Sequence, residues 1–249
     1  MRLIAKLDVK PPYVVKPIHF EGLRKLGLPA DLARKYYEEG ADEIIYLDIV
    51  ASLYRREVLC TEVQQAADGI FIPFAVGGGV RSLEDFSLLF RHGADKVILN
   101  THALQENPSL IDQAAKIFGS QSVVVSIEAK QIERDWFCFS DCGRNASGKR
   151  VFDWLKEIEA RGAGEVVMQS VDQDGTQYGF DIELLAKSVD AIDIPLIAAS
   201  GAGTLEHILE VATTVKPSAI ALSSVLHYNK LTIADIKAHL RKANVEAVL

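Results

Sequence analysis

The sequence is poor in cysteine, with Cys60, Cys138 and Cys142 its only three, and none sits in a C-x-x-C pair. That excludes a disulfide framework and a structural zinc site. Cys138 and Cys142 are close enough in sequence to meet in one hairpin, but reduced thiols are the expectation. No apolar run approaches the roughly 20 residues a membrane span needs. There is no excess of basic charge either: the net charge is −7 and the Lys and Arg residues are scattered, so a general nucleic-acid surface is excluded. The six histidines show no metal-ligand spacing, and low-complexity tracts and linkers are missing. The start, Met1 to Lys6, lacks a signal-peptide cleavage pattern, and a cytoplasmic location is the expectation.

What is present is a regular alternation. Short β-branched runs at Leu3–Val9, Glu43–Ile49, Ile72–Val76, Lys96–Leu99, Val123–Glu128, Glu165–Gln169, Pro195–Ala198 and Ala219–Leu222 read as strands. Each is followed by a helical-period segment: Pro29–Glu39, Arg56–Asp68, Leu83–His92, Pro108–Phe118, Val151–Arg161, Ile182–Val189, Leu205–Thr213 and Ile233–Lys242. Ser82 and Thr204 stand where N-caps belong. Gly40, Gly93, Gly119 and Gly162 stand where left-handed helix ends belong. The strand runs are apolar throughout, as in a parallel sheet buried on both faces. Eight βα units in 249 residues predict a single-domain (β/α)8 barrel over residues 1–249; a doubly wound open sheet is the alternative.

The chain also repeats itself about half its length later. Leu7-Asp8-Val9-Lys10 answers to Ile127-Glu128-Ala129-Lys130, and Val76-Gly77-Gly78-Gly79 to the segment Ala199 to Gly203. Two four-unit halves related by a pseudo-two-fold axis follow. Asp8 and Glu128 then end strands on opposite sides of the barrel mouth, where active sites of this fold lie. Two opposed carboxylates can serve as general acid and base. The plainer reading is a pair of solvated or lysine-paired carboxylates, since Lys10 and Lys130 follow on the same side by alternation. The glycine loops precede helix starts, which suits phosphate. Gly79 with Asn100 and Thr101, and Gly201 and Gly203 with Ser223 and Ser224, outline two phosphate half-sites. Asp174 and Gly175 in Asp172-Gln173-Asp174-Gly175-Thr176 make a turn at the mouth, with Asp174 a substrate-contact candidate. His227 is read as packing or capping.

These residues resemble the cyclase subunit of imidazole glycerol phosphate synthase. The similarity runs through Ala5 to Lys10, Val14-Val15-Lys16, Gly40 to Glu43, Leu47-Asp48-Ile49, Val76 to Ser82, Gly93 to Val97, Phe118 to Gln121, Arg161 to Glu165, Asp172 to Thr176 and Leu205-Glu206-His207, covering about residues 2 to 242. The resemblance implies a lyase subunit that uses ammonia from a partner glutaminase. Its substrate would be phosphoribulosyl formimino-carboxamide bisphosphate, converted to imidazole glycerol phosphate and aminoimidazole carboxamide ribotide in histidine biosynthesis. It implies Asp8 and Glu128 as the acid–base pair and Lys16 closing over substrate, with no metal or organic cofactor. It implies a salt-bridged ammonia gate of Arg2, Glu43, Lys96 and Glu165 at the bottom of the barrel, and a glutaminase docked there through Arg2, Asp95 and Lys96.

The mouth departs from the family. Glu128 stands for an Asp, Pro11-Pro12 for Asp-Gly, and Cys142 for a Ser. Gln169, a substrate-contact candidate, stands for a hydroxyl residue, Ile98 for a Ser and Ser200 for a Gly. Two alternatives therefore stand beside the histidine-pathway reading: a paralogue supplying ammonia for acetamidino modification of a surface sugar, and a non-catalytic ammonia conduit.

Overall fold

β1 (Arg2–Lys10) opens the chain and is followed by an antiparallel pair, β2 (Tyr13–Ile18) and β3 (Glu21–Gly27), then α1 (Pro29–Glu38) and β4 (Glu43–Asp48). Next come α2 (Ala51–Tyr54), α3 (Cys60–Ala67), β5 (Phe74–Gly77), α4 (Leu83–Arg91), β6 (Lys96–Leu99), α5 (Thr101–Gln105) and α6 (Ser109–Phe118). β7 (Val123–Ile132) runs on into a meander with β8 (Asp135–Ser140) and β9 (Asn145–Arg150). The rest alternates: α7 (Val151–Ala160), β10 (Glu165–Ser170), α8 (Ile182–Ala191), β11 (Leu196–Ala199), α9 (Leu205–Thr214), β12 (Ala219–Leu222), α10 (Ser224–His227) and α11 (Ile233–Lys242). This is a computed structural model that describes residues 1–18 and 21–246. The parallel strands pair in the order β1-β4-β5-β6-β7-β10-β11-β12, and β12 pairs back to β1, so the barrel closes and the open-sheet alternative falls.

Local chemistry explains the element ends. Pro73 and Pro195 lack an N–H, so β5 and β11 begin one residue after each, slightly later than the sequence pattern suggested. Their carbonyls still accept from Ile44 and Val166 on the preceding strands. Ser82 accepts from the Asp85 N–H in a capping box, and Thr204 accepts from the His207 N–H. Gly40, Gly93, Gly119 and Gly162 all adopt positive φ, as their placement after helices predicted.

Alternation sorts the strand residues into two cores. One set packs outward against the helices, with Leu3, Leu7, Ile44, Tyr46 and Val125 among it. The other fills the barrel: Ile4, Ile45, Ala75, Ile98, Val124, Val167, Ile197, Ala199, Ala219 and Ala221. The interior row of β1 is therefore Arg2, Ile4, Lys6 and Asp8.

Two loops and one helix differ from the sequence expectation. The segment carrying Lys16 is a β-hairpin laid on the end of β1. The segment after Glu128 stays in the ladder, because Glu128 to Ile132 pair antiparallel with Phe139 to Asp135. The helix expected over Arg56–Asp68 is α3 alone, shorter at both ends, and a separate short helix, α2, precedes that span. Arg55 adopts a left-handed conformation (φ 51°) that ends α2, and helix resumes only at Cys60.

Candidate active site

Asp8 lies on the barrel's inner wall at the mouth and is fully buried. Lys6 donates to its Oδ1, and Lys16 Nζ, from the β2 hairpin, donates to Oδ2 at 3.1 Å. Burial pushes the carboxyl pKa up, but the two ammonium groups outweigh it and hold Asp8 at about 2. The lysine pairing weighed from sequence is thus real but uses other lysines: Lys10 is exposed, and Lys130 sits over the Phe139 ring. Lys16 also donates to Asp174 Oδ1 at 3.0 Å, so one ammonium bridges two acids, and their fields raise its pKa despite burial.

Glu128 faces Asp8 from β7, four strands away in either direction around the eight. It has no ion pair among the described residues. Its Oε1 accepts from Asn100 Nδ2 at 2.7 Å and its Oε2 from the Gly143 N–H at 2.6 Å. The second bond exists because Asp141, Cys142 and Gly143 adopt positive φ in succession (55°, 60° and 68°), a strained turn between β8 and β9 that aims the amide at the acid. Cys142 is anchored there by its thiol, which donates to the Ile49 carbonyl. Burial raises Glu128 to about 7 even though both donors favour the anion. Across one mouth, then, stand a firmly ionised carboxylate and a carboxyl that exchanges its proton near neutrality.

The two glycine loops flank this pair unequally. A cleft of about 690 Å³ is lined by Gly78, Gly79, Asn100, Thr101, Asp48 and Glu128, among others. The matching hollow in the other half holds only about 20 Å³. Asp174, Gly175, Gly201, Ser223 and Ser224 line it, and Lys6 and Lys16 occupy its wall. Gly203 does not line it, and a Cβ there would strike the backbone of Gln177. Some expected donors are already engaged: the Thr101 hydroxyl accepts from the Asp141 N–H, and Ser223 Oγ donates to the Lys6 carbonyl. Gln169 is fully buried inside the barrel, donates to Ser126 Oγ at 2.8 Å, and lines neither hollow. His227 packs as expected, its Nδ1 2.7 Å from the Tyr36 hydroxyl, and burial lowers it to about 4, so it is neutral at pH 7.

At the other end of the barrel, Arg2, Glu43, Lys96 and Glu165 form a closed ring. Arg2 binds both glutamates, and Lys96 meets Glu43 at 2.9 Å and Glu165 at 2.8 Å. Burial raises Glu43 against the pull of Lys96 and Arg2. Asp95 beside the ring is exposed, and its carboxylate accepts from the Phe74 N–H at 2.9 Å. Asp42 does the same for Leu3 at 2.7 Å. Sequence reasoning missed Lys6 altogether. The signal was there, a lysine midway along an inward row that otherwise reads Arg, Ile, Asp.

The chain matches the family model described as histidine biosynthesis protein over residues 2–232. It is similar to the imidazole glycerol phosphate synthase subunit HisF of Thermococcus onnurineus, with 45% identity over 244 residues, 98% of this chain and 96% of that protein. The protein of that name from Wolinella succinogenes is 46% identical over 250 residues (100% and 98%), and that from Pyrococcus furiosus 44% over 244 residues (98% and 96%). With the closed barrel, the opposed carboxylates and near-complete coverage, this chain belongs to the HisF family of imidazole glycerol phosphate synthase cyclase subunits.

Proposed function

We propose that this chain is the ammonia-using cyclase of an imidazole glycerol phosphate synthase, acting on phosphoribulosyl formimino-carboxamide bisphosphate and releasing aminoimidazole carboxamide ribotide. The observation that carries the reading is the opposed pair, with Asp8 ionised and Glu128 exchanging its proton near neutral pH. Asp8 takes a proton from the attacking nitrogen, and Glu128 supplies one to the leaving oxygen or nitrogen. The two glycine-lined hollows take the two phosphates. The second is filled by Lys16 in this structure. An entering phosphate competes with Asp8 and Asp174 for that ammonium, so substrate binding itself frees Asp8 Oδ2 to act as base.

The ring of Arg2, Glu43, Lys96 and Glu165 is the entry for ammonia, and a glutaminase subunit docks around Arg2, Asp95 and Lys96. Beyond the ring the interior is lined by small and branched apolar residues, which suits neutral ammonia and opposes ammonium. Residues 1–249 act as one domain in the cytoplasm; no described helix is long and apolar enough to cross a membrane. The test is turnover of the bisphosphate with an ammonium salt, and with glutamine plus glutaminase. Wild-type activity lost in Asp8→Asn supports the reading; an inert wild type sinks it. One observation favours a second reading, delivery of ammonia for a sugar acetamidino group. Three of the residues that depart from the family at the mouth are each held by hydrogen bonds to their neighbours, Glu128 to Asn100 and Gly143, Cys142 to Ile49 and Gln169 to Ser126.

A further inference from the structure

Lys6 occupies the barrel interior between Ile4 and Asp8, with 3% of its surface exposed. Its pairing partner on β4 is Ile45, and Ala221 and Leu222 line the same small hollow. An ammonium in such a place is costly unless it is paired and hydrogen-bonded. Its ion-pair partner among the described residues is Asp8. The groups facing Asp8 are few. Lys6 comes from its own strand and Lys16 from β2, with Asp174 beyond it. His227 approaches from α10, neutral, and the Cys142 thiol and Glu128 face it from the far side. The acid at the end of β4, Asp48, is taken up by Arg56 and the Val50 N–H.

Of the two lysines, Lys16 sits on a hairpin at the mouth, in the hollow where a phosphate is to bind. Lys6 lines the same hollow, but it is held on a central barrel strand and its ammonium is bound to Asp8 Oδ1.

We propose that Lys6 is a positioning residue for the acid–base pair, holding Asp8 as the carboxylate from inside the barrel so that it remains the base after Lys16 turns to a substrate phosphate. The inference rests on the acid–base reading of Asp8 and Glu128. Glu128, which meets only neutral donors, is left as the acid.

Carboxyl carbon-13 NMR reads Asp8 directly, its resonance assigned by loss in Asp8→Asn, in the wild type, Lys6→Met and Lys6→Arg. Activity profiles against pH, with the bisphosphate and an ammonium salt, accompany it. Asp8 should still be ionised at pH 3 in the wild type and in Lys6→Arg. In Lys6→Met it should be half-protonated at about pH 4 or above, the ordinary carboxylate range, and the acid limb of kcat should move with it. An Asp8 that titrates alike in the wild type and Lys6→Met overturns the proposal, whether or not the enzyme turns over. If Lys6→Met does not fold, a wild-type Asp8 that is half-protonated near pH 4 overturns it. If the titration shifts as stated but no protein turns over the bisphosphate, the positioning role stands and the acid–base reading fails.

Discussion

Asp8→Asn separates the chemistry of the mouth from its packing. Asparagine keeps the shape of the side chain and resembles the protonated acid, so the perturbation is the loss of one buried negative charge from between Lys6 and Lys16. The folded pKa is about 2 against an ordinary value of 3.8. A depressed carboxylate adds stability that is complete above the unfolded pKa and disappears as pH falls through the folded one. The difference is worth roughly 2 to 3 kcal/mol at pH 7 and about half that at pH 3. For a chain of this size, a difference of that order corresponds to roughly 5 to 10 °C in Tm. Thermal unfolding followed by circular dichroism at pH 7 and pH 3 should give a wild-type advantage that shrinks between the two. Ammonia-dependent turnover should fall to background at every pH. Near-full turnover in Asp8→Asn refutes the assignment of the base. Equal Tm values at pH 7 refute the ion-pair account of why Asp8 is held ionised.

Four further outcomes follow from the same geometry. Glu128 needs its proton to act as the acid, so kcat should decline as pH rises through about 7; a flat profile from pH 6 to pH 9 removes it from that role. Glu128→Asp shortens the reach by one methylene and pulls the carboxylate from Asn100 and Gly143. If the substrate is the family's own, turnover should stay similar or rise, measured by steady-state kinetics, and a fall of roughly 100-fold would mean the pocket is built around the longer acid. Lys96→Met opens the ring and leaves Glu43 and Glu165 sharing only Arg2; the glutamine-driven rate should drop by more than the rate with added ammonium, and an equal drop in both argues against a gate. Ser200 holds a positive φ of 77° without being glycine. Ser200→Gly should relieve that strain and stabilise the protein by up to about 1 kcal/mol, read as a Tm shift; a lower Tm shows that the serine side chain matters more than its backbone.

Much of this architecture was legible because it rests on local rules. Strand and helix order follow from residue alternation and from glycine and proline, whose effects act within a few positions. Pro73 and Pro195 set strand starts, and Gly40 and Gly93 end helices, wherever those strands and helices pack. Alternation along β1 alone puts Arg2 and Asp8 on one inner wall, one at each end, so a bottom charge and a mouth acid were readable before any contact was known, while the four-residue ring came from the family resemblance. The half-chain repeat placed Glu128 opposite Asp8 for the same reason.

Closure decided the rest. Which lysine neutralises Asp8 depends on a hairpin folding over the mouth and on a bond from Lys16 to Asp174, 158 residues away. No local pattern encodes that distance, and the alternation rule pointed to Lys10 instead. The ionisation of the two acids is likewise a tertiary property. Asp8 and Glu128 are similarly buried carboxylates, and they differ because two cations converge on one while an amide and a backbone N–H meet the other. The unequal hollows are a further case: similar glycine loops leave an open cleft in one half and a filled one in the other, because Lys16 of the first-half hairpin lies in the second hollow, whereas the second-half hairpin lines the first cleft with Asp141, Cys142 and Asn145 and no lysine. By itself the sequence determined the eight βα units, the two ends of the strands and the side of the wall that Arg2 and Asp8 face. Only the packed structure decided which charges meet, and in a low-dielectric interior that choice sets their protonation.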